Sequence, residues 1–197
     1  EVLRDLPDDW RVFSGVRFLV PPSGSQPAVE REIDLLLLHP EHGMLTLEVK
    51  GGGIDYDLRG MGGYFSIDRA GSKNRIENPF DQASTALHRL KKLIEGDGRW
   101  SGGTVDFVHA SGVVTPDCEW APRVPPPNVQ RELVIDRSDL TEGRVEARLV
   151  ALSQFWAVNR GPSLRPLGRQ RLKKLAQEVL APHFGLRPTL EGAMAWE

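Results

Sequence analysis

The chain has 197 residues, of which 40% are hydrophobic and 26% charged, and its net charge is −2. This length is enough for one well-packed domain, and the composition is ordinary for a globular protein. A single cysteine, Cys118, excludes an intrachain disulfide framework and a multi-cysteine metal site, and no apolar run approaches the ~20 residues that cross a bilayer. We therefore expect a cytoplasmic protein without a membrane partner. Because the net charge is slightly negative, this protein would need a local basic surface to bind a polyanion.

The first half of the chain is dominated by short runs typical of strands. It opens with EVLRDLPDDW, which predicts the last turns of a helix that ends at a proline. Trp10–Val20 then alternates apolar and polar residues as a strand does. Ile33–His39 and Met44–Lys50 are apolar runs separated by Pro-Glu-His-Gly, which indicates a hairpin because proline and glycine favour tight turns. Gly51–Gly71 predicts a further pair of short strands with glycine-rich turns.

The clearest helix in the sequence is Asn78–Gly96. Asn78 is a favourable N-cap, Pro79 suits the first helical position, and an apolar stripe follows at helical spacing. Thr104–Pro116 predicts a buried strand, and a proline-rich loop comes after it. The remaining predicted elements are a strand at Glu132–Asp136, a helix from Gly143 to Ala157 and a basic helix over Leu167–Leu180. This order predicts an α/β fold with a central mixed β-sheet flanked by helices.

Three charged residues lie at the ends of the two hairpin strands, where an unpaired buried ion would be costly. Asp34 is near the start of its strand and Glu48 is near the end of the next, so antiparallel pairing would bring them to the same end of the sheet. From one face of the sheet the two carboxylates could share a divalent cation such as Mg²⁺, which prefers oxygen ligands. The backbone carbonyl of Val49 is a further candidate ligand.

The third charged residue, Lys50, is two positions after Glu48 and therefore shares its strand face. Its ammonium would lie beside a metal-bound water, where it could position that water or stabilise charge on a phosphate. The alternative is a solvated surface ion pair, worth less than ~1 kcal/mol. The apolar runs around these residues and the three glycines at Gly51–Gly53 favour the catalytic interpretation. The glycines leave the backbone open beside the site, where a bulky chain such as nucleic acid could approach.

The segment EIDLLLLHPEHGMLTLEVKGG is similar to the core of the nuclease-related domain family, NERD. The similarity covers about Leu6–Gly112 and includes NPFDQASTAL, where an Asn-Pro pair precedes a glutamine at the start of a helix. NERD proteins are PD-(D/E)xK nucleases, so the resemblance implies a restriction-endonuclease-like fold. It also implies that Asp34 and Glu48 bind Mg²⁺ or Mn²⁺, that Lys50 is the catalytic lysine and that Gln82 supports the active site.

Two points stay open in this comparison. A glutamine in the first turn of a helix is often exposed and idle, but Gln82 lies at a helix N-terminus, where an anionic phosphate can bind, and the motif favours a functional role. Many nucleases of this superfamily also carry an acidic ligand on a helix before the sheet. We expect this ligand to lie upstream of Glu1; Glu1 itself, Glu30 and Glu32 are the alternatives, and the sequence does not single out one of these three.

Two basic stretches indicate a surface for nucleic acid, although such helix-surface residues often serve only solubility. They comprise Arg165, Arg169, Arg171, Lys173 and Lys174 near the last helix, and Arg89, Lys91 and Lys92 on the helix that starts after Asn78. We therefore expect DNA as the partner. The resemblance to NERD adds a helicase domain, in cis or in trans, as a second partner.

These features define the predicted organisation and function. Residues 1–116 are expected to form the nuclease core. Residues 117–197 are expected to pack on it as a proline-rich loop, a short strand and C-terminal helices within one domain, which would suit a piece of a larger helicase-fused protein. The predicted activity is a metal-dependent DNA nuclease that hydrolyses phosphodiesters. The alternatives are a non-catalytic DNA-binding or docking module and an RNA-directed nuclease.

Overall fold

A computed structural model describes residues 2–20, 29–57, 63–101, 103–122, 126–127 and 129–184 of the chain. The strands of the described part are β1 (Arg11–Val20), β2 (Val29–His39), β3 (Gly43–Val49), β4 (Gly53–Asp57), β5 (Gly63–Ile67), β6 (Lys73–Ile76), β7 (His109–Thr115) and β8 (Val134–Asp136). Its helices are α1 (Pro79–Gly96), α2 (Arg144–Arg160) and α3 (Arg169–Lys174), with a π-helical segment at Leu175–Leu180 and 3-10 turns at Val2–Asp5 and Arg131–Leu133.

The main sheet is mixed and has the strand order β1-β2-β3-β7-β8. β1, β2 and β3 are antiparallel neighbours, whereas β7 runs parallel to β3 and β8 runs parallel to β7. A parallel neighbour requires a crossover connection, and the segment with α1 supplies it between β3 and β7. This architecture confirms the predicted α/β class and is consistent with a restriction-endonuclease-like fold.

Helices cover both faces of the main sheet. On one face, α1, α3 and the π-helical segment pack on strand residues such as Leu36, Leu38 and Met44. On the other face, α2 packs on Leu37, Leu45 and neighbouring residues. Successive strand residues point to opposite faces, so the continuous Leu35–Leu38 run supplies apolar side chains to both layers. In the described part of the chain, no helix is both long enough and apolar enough to cross a membrane.

Several predicted elements differ from those in the structure. The opening segment contains one 3-10 turn rather than the end of an α-helix. The Gly51–Gly71 region does form the predicted pair of short strands, β4 and β5, but the third strand of this sheet, β6, was not predicted. The predicted strand at Thr104–Pro116 begins only at His109, although Val105 and Phe107 before it are buried.

The small sheet β4-β5-β6 lies beside the N-terminus of α1. The ring of Tyr64 on β5 is 5.9 Å from that of Phe80 in the first turn of α1. Phe80 in turn makes an edge contact with Trp120 at 5.8 Å between ring centroids. Aromatic pairs at these separations stabilise beyond their buried area. The start of α1 is therefore held between the small sheet and the segment that follows β7.

The C-terminal part of the chain contributes to the main core. Leu133, Ile135, Val145 and Leu149 all come after residue 116, yet they share one hydrophobic cluster with Leu45 and its neighbours on β2, β3 and β7. On the face of the sheet that α1 covers, residues of α3 and the π-helical segment belong to the other hydrophobic cluster. The division at residue 116 stays a prediction, and residues 185–197 lie outside the described residues.

The β2–β3 turn ends at Gly43, as the Pro-Glu-His-Gly pattern predicts. Gly43 has a φ of +76°, and a Cβ atom there would lie 1.9 Å from the backbone oxygen of Val108. We expect Gly43→Ala to lower the free energy of unfolding by more than about 2 kcal/mol, because it combines a left-handed backbone with a steric clash. Denaturant unfolding monitored by circular dichroism would measure this loss.

Gly71 provides a matched control for this prediction. It also has a positive φ, +83°, but no atom lies within 4 Å of the position that a Cβ would take. Gly71→Ala should therefore show only the backbone cost, about 1 kcal/mol. Equal losses in the two variants would contradict the steric part of the argument.

Candidate active site at the end of the β2–β3 hairpin

The candidate site lies where β2 separates from β3. Pairing between the two strands stops at Leu35 opposite Leu47, whereas β2 continues to pair with β1 as far as Val29. At the separation point the Asp34 carboxylate accepts a hydrogen bond of 2.7 Å, through Oδ2, from the backbone N–H of Val49. The side chain of Asp34 thus satisfies a β3 donor that strand pairing no longer serves. Its Oδ1 makes no hydrogen bond within the residues that the structure describes.

Glu48 and Lys50 lie on the face of β3 that is covered by α1. Two residues before Glu48 on this face, the buried Thr46 hydroxyl donates to the Ala83 carbonyl of α1 at 3.3 Å. The Lys50 Nζ lies 2.6 Å from Glu48 Oε1, and the two side chains are only 22% and 15% exposed. Val49 points the other way and packs against the α2 layer. Glu48 and Lys50 are therefore in contact, and Asp34 is near enough to interact electrostatically with Glu48. The catalytic roles of these three residues stay predictions.

The electrostatic environment raises the pKa of the Glu48 carboxyl. Burial is the largest cause, and the nearby negative charges of Asp34 and Glu77 act in the same direction. The Lys50 ammonium opposes this increase through its hydrogen bond and its charge. Burial and like charge both disfavour the ionised carboxylate. A cation bound beside Glu48 would relieve this cost, so the site is electrostatically suited to one.

Gln82 reaches the site from the first turn of α1. The helix starts as predicted, with the Asn78 side chain accepting from the Phe80 N–H at 3.0 Å. Gln82 donates from Nε2 to Glu77 Oε2 at 2.9 Å. Its other amide atom, Oε1, is buried and has no hydrogen-bond partner in the described part of the chain. An unpaired buried carbonyl is uncommon in proteins and points to a missing partner.

Asp34, Glu48, Glu77 and Gln82 line one open cleft with a volume of about 710 Å³. Its described lining residues include six acidic and two basic ones, so the cleft is strongly negative. The charged residues are Glu30, Glu32, Asp34, Glu48, Glu77, Asp81, Arg31 and Arg89. A polyanionic substrate would be repelled here unless a cation first neutralised part of this charge.

The donors of the cleft fit a hard divalent cation. Asp34 and Glu48 offer carboxylate oxygens at the wall of the cleft. Within the described residues, no group of three or more His, Cys, Asp or Glu side chains is close enough to hold a metal ion. A site with two carboxylates suits Mg²⁺ or Mn²⁺, since Mg²⁺ usually keeps several waters and needs few protein ligands. The role of the Val49 carbonyl as a ligand stays a prediction.

The three candidates for an additional acidic ligand occupy different positions. Glu1 lies outside the described residues. Glu30 and Glu32 both line the cleft, and Glu32 also pairs with Arg17 on β1 at 3.2 Å. Sequence reasoning missed Glu77, which precedes the Asn78 cap and interacts electrostatically with Glu48. The only signal for it was its position directly before the Asn-Pro pair.

The predicted basic surface is partly neutralised by ion pairs. Arg169 pairs with Asp9, Arg171 pairs with Asp106, and Lys91 lies 3.6 Å from Glu95. Arg89 is the basic residue of α1 that lines the cleft. Arginine already paired with carboxylate is a weaker attractant for phosphate, because its charge is compensated. Of the predicted basic residues, Arg89 thus has the most direct position for a substrate in the cleft.

Comparison with known proteins identifies the family. No curated protein and no solved structure gave a match to the chain. The family model for the nuclease-related domain (NERD) matches residues 1–115. That span includes Asp34, Glu48, Lys50 and Gln82, and it confirms the resemblance predicted from the hairpin and the Asn-Pro motif. The chain therefore belongs to the nuclease-related domain family, which is part of the PD-(D/E)xK-like nuclease superfamily.

Proposed function

We propose that the protein is a Mg²⁺- or Mn²⁺-dependent DNA nuclease that hydrolyses phosphodiester bonds. The observation that carries this proposal is the arrangement at the hairpin end. Asp34 is hydrogen-bonded to β3, and Asp34, Glu48 and Gln82 line the same cleft. Lys50 Nζ lies 2.6 Å from Glu48 Oε1. Two carboxylates and a lysine at adjacent strand ends are the groups that this chemistry needs. Membership of a nuclease-related family supports the same assignment.

Each residue of the site has a role in this proposal. Asp34 and Glu48 hold the cation, which when bound supplies Lewis acidity and an activated water. The hydrogen bond from the Val49 N–H to Oδ2 orients Asp34 for this role and leaves its Oδ1 available to the cation. The Lys50 ammonium stabilises negative charge that develops on the phosphate. Its present contact with Glu48 keeps it beside the carboxylate that holds the cation.

The acidic lining of the cleft determines the order in which the cation and the nucleic acid bind. Six carboxylates face a substrate that carries one negative charge per phosphate. The cation must therefore bind before the nucleic acid, while Arg31 and Arg89 offer positive charge at the walls. The choice of DNA over RNA, and a helicase domain as partner, rest on the family resemblance rather than on this geometry.

A non-catalytic DNA-docking module is the second candidate. One observation favours it: Glu48 is already paired with Lys50, and the described residues contain no three-residue cluster of acidic, His or Cys ligands. In such a module the ion pair would be purely structural. It would bind nucleic acid without cleaving it, and its binding would not need a divalent cation.

A cleavage assay on the wild-type chain tests the proposal. Linear, circular and single-stranded DNA and a matched RNA would be incubated with Mg²⁺, with Mn²⁺ and with EDTA. We expect cleavage of DNA in either metal and none in EDTA, since the activated water depends on the cation. Cleavage of RNA but not DNA would change the substrate class. Metal-independent DNA binding without cleavage of any substrate would support the docking module.

A further inference from the structure

A second groove runs along α1 beside the acidic cleft, and we call it the α1 groove. Its volume is about 300 Å³, and its described lining residues are Ser84, Thr85, His88, Arg89 and Lys92. Thr85 and Arg89 also line the acidic cleft, so the two depressions adjoin. A chain that lies in the cleft can therefore continue into the α1 groove along the protein surface.

The lining of the α1 groove comes from one face of the helix. Residues three and four positions apart are neighbours on a helix surface, so Ser84, His88 and Lys92 lie above one another in a stripe. The other face of α1 is buried in the core through residues such as Leu87 and Leu90. From Ser84 to Lys92 the stripe rises about 12 Å, at ~1.5 Å per residue.

The charge of the α1 groove is opposite to that of the cleft. None of its described lining residues is acidic, whereas six of those of the cleft are. Lys91, which does not line the groove, lies 3.6 Å from the Glu95 carboxylate. Arg89 and Lys92 form no ion pair with any other residue that the structure describes. Their positive charge is therefore available to an anionic ligand in the α1 groove.

The groups in the α1 groove are those that hold a nucleic-acid backbone. Lysine and arginine neutralise phosphates, and the hydroxyls of serine and threonine donate hydrogen bonds to phosphate oxygens. A DNA strand advances ~3.4 Å per phosphate along the duplex axis, so a stripe of about 12 Å matches about three phosphates. The described lining contains no Phe, Tyr or Trp ring on which an unpaired base could stack. The groove therefore suits the backbone rather than the bases.

We propose that the α1 groove binds the phosphate backbone of DNA on one side of the bond that is cleaved, with Arg89 and Lys92 as its charged contacts. This inference rests on the proposed function, which places the cleaved phosphate beside Asp34 and Glu48. It accounts for how a strongly acidic cleft receives a polyanion. The positive charge that attracts and holds the substrate lies in the adjoining groove, and the cation in the cleft neutralises only the phosphate that reacts.

The salt dependence of DNA affinity measures phosphate contacts directly. For duplex DNA the logarithm of the association constant falls with the logarithm of the salt concentration, with a slope of about −0.9 for each neutralised phosphate. Fluorescence anisotropy of a labelled duplex would give this slope at several NaCl concentrations and one fixed Mg²⁺ concentration. The parent protein carries Lys50→Ala to slow cleavage, and each reading is taken while a gel shows the duplex intact. Circular dichroism confirms that each variant is folded.

Lys92→Ala and Arg89→Ala should each reduce the magnitude of the slope by about 0.9 relative to this parent. Lys91→Ala is the matched control, because Lys91 is the adjacent lysine of the same helix but pairs with Glu95 outside the groove, and it should leave the slope unchanged. Lys92→Arg should keep the parent slope, since the charge is retained. The loss of affinity should be equal for two duplexes of unrelated sequence, because phosphate contacts carry no sequence information.

The possible results separate this inference from the proposed function. An equal change from Lys91→Ala and Lys92→Ala, or a loss confined to one of the two sequences, would overturn the α1 groove as a backbone site. Metal-dependent cleavage by the wild type, with a slope that Arg89→Ala and Lys92→Ala leave unchanged, would overturn this inference alone. A slope that Lys92→Ala reduces, without cleavage of any substrate by the wild type, would overturn the nuclease and keep the groove as part of a docking module. Absence of DNA binding by the folded wild type would overturn both.

Discussion

Asp34→Asn is expected to abolish DNA cleavage and to weaken Mg²⁺ or Mn²⁺ binding by more than about 100-fold, because losing even an outer partner of a metal ligand costs 10–100-fold. The fold should survive the change. An asparagine oxygen can still accept the 2.7 Å hydrogen bond from the Val49 N–H, so the β3 donor keeps a partner. What is removed is the negative charge that the cation needs. Titration calorimetry and a cleavage assay on the same preparation would measure both effects.

Glu32→Gln is the matched control for that result. Glu32 lies two positions before Asp34 on β2, lines the same cleft and pairs with Arg17 at the surface. Glu32→Gln removes one negative charge from the cleft, as Asp34→Asn does, but it leaves Asp34 and Glu48 at the end of the hairpin intact. We expect little change in metal affinity or cleavage. If Glu32→Gln were as damaging as Asp34→Asn, either Glu32 would be the additional acidic ligand or the general charge of the cleft would explain the loss, and Asp34 would not be singled out as a ligand.

Lys50→Ala is expected to lower the cleavage rate by ~10²-fold or more while DNA binding and folding are retained, as for other single groups that stabilise transition-state charge. Metal affinity should be nearly unchanged at about pH 8, well above ordinary carboxylate pKa values. At lower pH the variant should bind metal less well than the wild type. Lys50 holds the pKa of Glu48 down against burial, so without it protons compete with the cation at a higher pH.

Two further variants sharpen the test of Lys50. Lys73→Ala removes another strand lysine paired with a carboxylate, Asp55, but in the small sheet, and it should leave cleavage unchanged. Lys50→Arg should restore only part of the activity, because a planar guanidinium does not replace a compact ammonium in a confined site. Cleavage by Lys50→Ala at the wild-type rate would show that the Glu48–Lys50 contact is a surface ion pair with no catalytic role.

Local signals account for most of what the sequence predicts correctly. The β2–β3 hairpin follows from two apolar runs around a Pro-Gly turn, and the start of α1 follows from Asn78 and Pro79, whose effects act within one turn. The shared face of Glu48 and Lys50 follows from the two-residue repeat of a strand. Each of these depends on residues that are neighbours in the chain.

The features that sequence reasoning missed depend on distant contacts. Nothing in the β2 sequence shows that it leaves β3 after Leu35, since β2 itself continues along β1. The pairing of β6 with β5 and the approach of Glu77 to Glu48 are likewise set by tertiary packing. A polar residue just before a helix cap has many ordinary roles, and only the folded chain shows that this one faces the cleft.

The origin of the α2 layer has a practical consequence for domain engineering. The family match ends at residue 115, but β8 and the helix that covers one face of the main sheet come later in the chain. A fragment truncated at residue 115 would contain the hairpin and its charged residues. It would lack α2, so Leu37, Leu45 and Leu47 would be exposed. Such a bare apolar face promotes aggregation. A fragment that carries this site into another protein must therefore extend through α2. To cover the opposite face of the sheet it must also include the π-helical segment.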